Sequence, residues 1–369
     1  MAKVTFNNKD SIFYDTVKQR VEEYFTKNNI EQTGNFWLYL KALTLVPAAV
    51  ILYVFLLTAN YHPLVGILLS GLFGFVLASI GFNIMHDACH GSYSSKKWIN
   101  YMMGLSLNCL GGNSFIWKQK HNVVHHTYTN VDGIDDDIAK MPVIRHCSSQ
   151  KWMPAHKYQH IYSVLVYGLS SFLWIFLMDF VKYFSKKIYQ TKLNNLSTQE
   201  HVIFWVSKVL YAVFYIAIPI YFVGVLPWLC GFFAMHFVKG FTLAMVFQLA
   251  HVVEDTHFVD ATENNLKINE EWAIHQVHTT ANFATHNKII NWFVGGLNFQ
   301  IEHHLFPRVS HVHYPAISRL VENSCNEFGI RYVNYPTMGA AVASHFRFMK
   351  YLGNSEESII GKPEVLSVH

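Results

Sequence analysis

The chain is 369 residues long, 51% hydrophobic and 16% aromatic, and only 14% of it is charged, well below the quarter or so usual in soluble globular proteins. A net charge of +4, with Lys and Arg confined to a few polar segments, excludes a nucleic-acid footprint. Five cysteines (Cys89, Cys109, Cys147, Cys230 and Cys325) form no C-x-x-C pair and cannot close into a complete disulfide set, which fits a reducing, cytoplasm-facing environment.

About the first 35 residues are polar, with no apolar core followed by a small-residue cleavage site, so membrane insertion is expected to use internal spans. Crossing a bilayer takes about 20 mainly apolar residues. Five stretches qualify or nearly do: 42–59, 63–85, 161–178, 202–223 and 226–250. A shorter apolar piece lies at 101–116, and strand-like alternation is scarce, so the chain reads as all-α.

Short links without Lys or Arg, at Asn60–His62 and Gly224–Val225, read as tips on the outer side. The basic segments carrying Lys3, Lys9, Lys18, Arg20 and Lys27, and later Lys182, Lys186, Lys187 and Lys192, read as inside. If 161–178 spanned, the second basic segment would fall on the wrong face. That stretch is therefore expected to lie in the interface, leaving four transmembrane helices plus interfacial helices and a cytoplasmic cap. The expected organisation is a cytoplasmic segment 1–35, a membrane domain 36–330 and a cytoplasmic segment 331–369.

The 22 histidines explain the cap. His86-Asp87-Ala88-Cys89-His90 closes the second apolar stretch, and histidines at i and i+4 share one helix face, so both can reach one metal. His121-Asn122-Val123-Val124-His125-His126 repeats the pair and adds His126, turned about 100° away on an ideal helix, towards a possible second metal. Gln300-Ile301-Glu302-His303-His304 puts Gln300 at i, i+3 and i+4 from a third pair. Each cluster lies at or beyond the inner end of a predicted span, so the three converge only under the topology above. So many nitrogen and oxygen donors exceed one coordination sphere and call for two metals. Redox iron suits chemistry on unreactive C–H bonds, although residue types alone leave zinc open.

HDACH, HNVVHH and QIEHHLFP together resemble the three histidine boxes of the membrane fatty-acid desaturases, and the glutamine opening the third box resembles the front-end branch. The resemblance covers roughly residues 36–330 and implies a non-haem centre of two irons that uses dioxygen to remove hydrogen from two neighbouring methylenes and leave a cis double bond. It implies His86, His90, His121, His125, His126, His303 and His304 as iron ligands, with Gln300 in place of the first histidine of the third box. It also implies His251, in FQLAHVVE, as a further ligand. The family pattern often has an asparagine four residues before that histidine. Here Phe247 stands there, with Gln248 beside it.

Asp136 and Asp137, with Asp135, follow the second box and are placed to orient metal-bound imidazoles; the bland reading is a solvated acidic turn. Glu302 orients an imidazole or faces water. Trp117, His275, Gln276 and His278 line a head-group entrance or acyl tunnel, or anchor at the interface. Lys239, inside the last span, is costly there unless it faces the protein interior, a cavity or the interface, and it meets an acidic head group or snorkels. His146, His156, His160, His311 and His313 read as surface residues.

The chain lacks an HPGG haem motif: its only His-Pro pair, His62-Pro63, continues with Leu64 and Val65. A separate electron donor is expected, a ferredoxin or a b-type cytochrome with its reductase, docking near the cytoplasmic basic segments. The expected substrate is an acyl lipid or acyl thioester. The rivals are a di-iron membrane hydroxylase or sphingolipid desaturase and, in another class, a metal-binding transporter, which the position of the histidines beyond the span ends disfavours. A bacterial inner membrane is the favoured location, with the endoplasmic reticulum as the alternative.

Overall fold

The computed structural model describes residues 4–8, 11–139, 141–261 and 267–354. Its principal helices are α1 (Ile12–Asn28), α2 (Phe36–Thr58), α3 (Pro63–His90), α4 (Ser114–Lys118, continued by a wider turn over Gln119–His125), α5 (Pro154–Ser185), α6 (Thr198–Val223), α7 (Val225–His251), α8 (Trp272–His278), α9 (Gln300–Leu305), α10 (Tyr314–Glu327) and α11 (Met338–Leu352). Among the described residues strand is confined to four pairs of two-residue segments, three parallel and one antiparallel.

Helices α2, α3, α5, α6 and α7 are each long and apolar enough to cross a membrane. Their outward faces carry Leu43, Ile51, Leu68, Val209 and Leu226, all well exposed, as a lipid-facing surface requires. The chain is an integral membrane protein. Local chemistry sets the span ends. Asn35 caps α2 by accepting from the Trp37 N–H at 3.0 Å, Pro63 occupies the first turn of α3, and Gly224 turns the chain between α6 and α7 at φ 83°.

Two polar side chains sit inside α7 without meeting lipid. His236 is fully buried between the Ser171 hydroxyl and the Tyr211 hydroxyl, each at 2.8 Å. Lys239 is also buried and donates to the Leu110 carbonyl at 3.3 Å. Lys239 therefore does not snorkel; it ties α7 to the loop before α4, an interior placement that offsets the cost of a cation at that depth.

Helix α5 has the length of a span and packs against two neighbours. Its first half follows α7, with Ser171 donating to the His236 carbonyl at 2.9 Å and Phe172 stacked on the His236 ring. Its second half follows α6, where Lys208 bridges to Asp179 at 2.7 Å and Tyr183 stacks on Phe204 at 4.1 Å. Both ends are tied to the segment after the second histidine box. Gln159 bonds both backbone groups of Arg145, at 2.9 and 3.0 Å, while Lys182 reaches Asp136 at 2.6 Å. The contact with α7 depends on Gly240, since a Cβ there would stand 2.6 Å from the Gly168 carbonyl oxygen and 2.9 Å from that of Tyr167. Gly240→Val should lower stability by about 1–3 kcal/mol through overpacking, read as a lower unfolding midpoint in detergent; an unchanged midpoint would show that this contact does not hold α5.

The remaining elements pack together beside the histidine-bearing ends of the long helices. Phe13, Val17, Val21 and Phe25 of α1 pack on Ala273 and Val277 of α8 and on Ile317 and Val321 of α10. Ala341, Phe348 and Met349 of α11 join Val246 and Leu249 of α7 in the largest core cluster. The end of the expected C-terminal segment, from 355 on, lies outside the described residues.

Candidate metal centre

Three helix ends and one short helix deliver the histidines. Residues Gly81–His86 of α3 and Gln119–His125 of α4 form wider helical turns, in which residues five apart align. In α4 the His126 N–H consequently bonds the His121 carbonyl at 3.0 Å, and the two Nε2 atoms stand 3.2 Å apart. An ideal helix would have turned His126 away. The loop before α9 approaches α3 closely because Gly295, at φ 60°, has no side chain to strike the Phe82 carbonyl, 2.6 Å from where a Cβ would lie. Asn282 then fixes α9, accepting from the Ile301 N–H at 2.9 Å and donating to Glu302 at 2.8 Å.

The histidines fall into groups whose ligand atoms lie within 4.8 Å of one another: His86, His90, His121 and His303; His125, His251 and His304; and His126, His303 and His304, which joins the two. His86 and His121 meet Nε2 to Nε2 at 3.2 Å. Two ring nitrogens sharing one metal at ~2.1 Å and a right angle would be ~3.0 Å apart.

In the second group each ring is held from behind. His125 Nδ1 is 3.0 Å from an Asp135 oxygen, His251 Nδ1 is 3.2 Å from the Thr279 carbonyl and His304 Nδ1 is 2.9 Å from Gln276 Oε1. Those partners only accept, so Nδ1 carries the proton and Nε2 presents its lone pair. All three Nε2 atoms are buried without a partner, as are those of His90 and His303 and the Nδ1 of His126. A buried polar atom left unpaired costs about 1–3 kcal/mol, and so many at one point fit a site shaped for metal. Burial and mutual repulsion hold His121, His126, His303 and His304 well below the ordinary imidazole range, so they are neutral donors. His125 differs: burial lowers it, but the Asp135 and Asp137 carboxylates together raise it above the ordinary value.

A sequence profile for fatty acid desaturases matches residues 59–336, most of the chain. The protein belongs to the fatty acid desaturase family. It is 39% identical over 356 residues to an acyl-lipid (8-3)-desaturase of Physcomitrium patens, covering 95% of this chain and 73% of that protein. Two sn-1 linoleoyl-lipid 6-desaturases are similar along nearly their whole length. That of Arthrospira platensis is 34% identical, covering 97% of this chain and 96% of its own, and that of Synechocystis is 35% identical, covering 96% and 98%. The chain is a fatty-acyl desaturase, an oxygen-dependent oxidoreductase whose histidine clusters are able to bind metal.

The other predicted residues of this desaturase divide. Trp117 stacks on His121 at 4.3 Å and sets its edge against His86 and His90, so it is a wall of the cluster. Phe247 presents its ring to His121 at 5.9 Å, and Gln248 keeps a buried Oε1 without a partner. Gln300 is buried at the start of α9 with its Nε2 unpartnered. Of the acidic run, Asp135 meets His125, Asp137 stands 3.6 Å from it while pairing with Lys120, and Asp136 pairs with Lys182 and Lys120. Among the described residues neither His275 nor His278 joins a metal group. His275 Nε2 donates to the Thr129 carbonyl at 2.9 Å, and His278 Nδ1 faces Glu270 at 3.0 Å. Gln276 holds His304 through its Oε1. Glu302 is fully buried, bonded to Asn282 and Tyr332, and burial raises it to about 7.

The expectation of surface histidines fails for four of the five. His146, His156, His311 and His313 are buried, and His160 is half-buried. His311 has a role that its sequence context did not reveal. Its Nδ1 lies 3.0 Å from Asp87 of the first box and its Nε2 lies 2.9 Å from Lys41 of α2, which in turn donates to Asn83 at 3.0 Å. Tyr314, 3.1 Å from His303 Nδ1, was also missed. The pairing of Asp87 with His86 in one motif was the available signal for the first; nothing in spacing pointed to Tyr314.

Proposed function

We propose that this desaturase inserts a cis double bond into an acyl chain held in a membrane lipid, using dioxygen and two electrons from a separate donor. The observation that carries the reading is the convergence of buried, unpartnered imidazole nitrogens into two linked groups. His86, His90, His121 and His303 would hold one iron and His125, His251 and His304 the other, with His126 between them and Gln300 completing the set. Two irons, when bound, supply the reduction of dioxygen and the removal of hydrogen from two neighbouring methylenes. The chain's own residues hold the donors. Asp135, Gln276 and the Thr279 carbonyl fix the tautomer and aim of three rings, Tyr314 steadies His303, and Trp117 and Phe247 keep the cluster's flank apolar. The relatives named for acyl-lipid substrates support a glycerolipid-bound chain and insertion on the carboxyl side of an existing double bond.

Four of the five apolar helices would cross the membrane, with α5 lying across the opening between α6 and α7. In support, both ends of α5 are fastened to the same cap segment, at Arg145 and Asp136. The cap would then face the cytoplasm, in a bacterial inner membrane by preference. The test is expression in a host with a matching reductase system, with gas chromatography of the lipids and an iron assay. A new double bond and close to two irons per chain are expected. No new product from any common acyl chain, together with less than one iron per chain, would reject the reading.

A further inference from the structure

If electrons come from another protein, they must reach histidines that the cap shuts away from solvent. One place brings the surface close. A groove of about 500 Å³ runs between α1 and the residues after α9, lined by Tyr14, Lys18, Trp272, Phe306 and Arg308 among others. The Trp272 indole N–H, at its floor, donates to the carbonyl of His126 at 3.2 Å. Its ring meets Tyr14 edge-on at 5.6 Å, and Tyr14 stacks on Phe306 at 6.3 Å. Phe306 follows His304 by two residues. The floor of the groove is thus one hydrogen bond from the second histidine box and one short step of chain from the third.

The rim carries Lys18, Glu22 and Arg308. Lys18 lies 3.9 Å from Glu22, while Arg308 is exposed and has no ion pair among the described residues. Among the residues lining the groove Lys18 and Arg308 outnumber Glu22, so the lining carries a net positive charge, with Asp15 and Glu271 standing nearby beside Tyr14. We infer that this groove is the docking face of a small one-electron carrier protein with acidic groups around its redox centre, and that Trp272 is where its electrons enter. This rests on the proposed function above. Per turnover two reduced carriers are each oxidised by one electron. These two electrons, the two removed with the substrate's two hydrogens, and two protons from solvent account for reduction of one dioxygen to two waters and formation of one carbon–carbon double bond.

The test uses the purified, iron-loaded full chain. Reduced plant-type ferredoxin and, in a separate arm, a reduced soluble b-type cytochrome are mixed with it, and their oxidation is followed by visible absorbance. Trp272→Leu should slow oxidation of the cognate carrier by about tenfold, a barrier change of ~1.4 kcal/mol. Trp272→Phe, which keeps a ring and loses the N–H, should fall between that variant and wild type. Arg308→Glu should weaken carrier binding by about tenfold and flatten its salt dependence, with iron per chain at the wild-type value. Wild-type carrier oxidation in all three variants overturns the inference, as does a slowing in both Trp272 variants that merely tracks lost iron. An Arg308→Glu variant that binds carrier normally and loses binding only to phosphatidylglycerol vesicles also overturns it, assigning the rim to lipid. If the wild type makes product with dithionite as reductant while these variants behave normally, the inference fails and the proposed function stands.

Discussion

His304→Ala should bring iron down to about one per chain and cut desaturation by at least a hundredfold, since losing a donor outweighs the ~10–100-fold that follows loss of a donor's partner. His304 belongs to the group of His125, His251 and His304, and its Nε2 is buried without a partner, as are those of the other two. Besides these three only His126, shared with the other group, stands near it among the described residues, whereas the other group has four histidines of its own. The alanine also removes the ring that stacks on His126 at 4.4 Å, so the two groups lose a link as well as a donor. Chelation supplies the comparison. Stripping metal from the wild type should lower its unfolding midpoint, because a ligand that binds only the folded state stabilises it. The same treatment of His304→Ala should produce a smaller drop. Two irons per chain in the variant would remove His304 from the ligand set.

The parts of this protein written in short-range patterns were legible before the structure. The apolar stretches at 42–59, 63–85, 202–223 and 226–250 became helices with nearly those bounds, because a bilayer demands length and apolarity and both are visible in composition. The i, i+4 histidine pairs were equally plain. What stayed hidden depended on groups far apart in the chain or on backbone detail. The widened turn that swings His126 back to His121 leaves no compositional mark. The partners behind the rings come from elsewhere: a carbonyl at Thr279, an amide at Gln276, a phenol at Tyr314. The buried histidines misled for the same reason. His156 looked like a surface residue, yet its Nε2 reaches the Pro142 carbonyl at 2.8 Å, and His313 reaches the Thr33 carbonyl at 3.0 Å. Helix α5 shows the same limit, since its composition fits a span and its fastening at Arg145 and Asp136 could not be read from the sequence.

Asp135→Ala is expected to weaken metal binding in the second group by about 10–100-fold. The carboxylate accepts from His125 Nδ1 at 3.0 Å, fixing the tautomer that points Nε2 inward and making that ring more basic than its neighbours. It also accepts from the backbone N–H groups of Asn130 and Asp137, each at 3.0 Å, so the alanine leaves two donors unsatisfied as well as an unaimed ring. These effects separate experimentally. Asp135→Asn retains an oxygen for the backbone but loses the charge, and should recover most of the unfolding midpoint while metal affinity stays low. Asp136→Asn is the control from the same turn. Its carboxylate pairs with Lys182 and Lys120, so its loss should loosen the hold on α5 and leave metal affinity near the wild-type value. A competitive chelator titration of the three variants, paired with thermal unfolding, reads both quantities. If Asp136→Asn lowers metal affinity as much as Asp135→Ala does, the turn acts on the metal through its overall negative charge, and the directed bond from Asp135 to His125 loses its special standing.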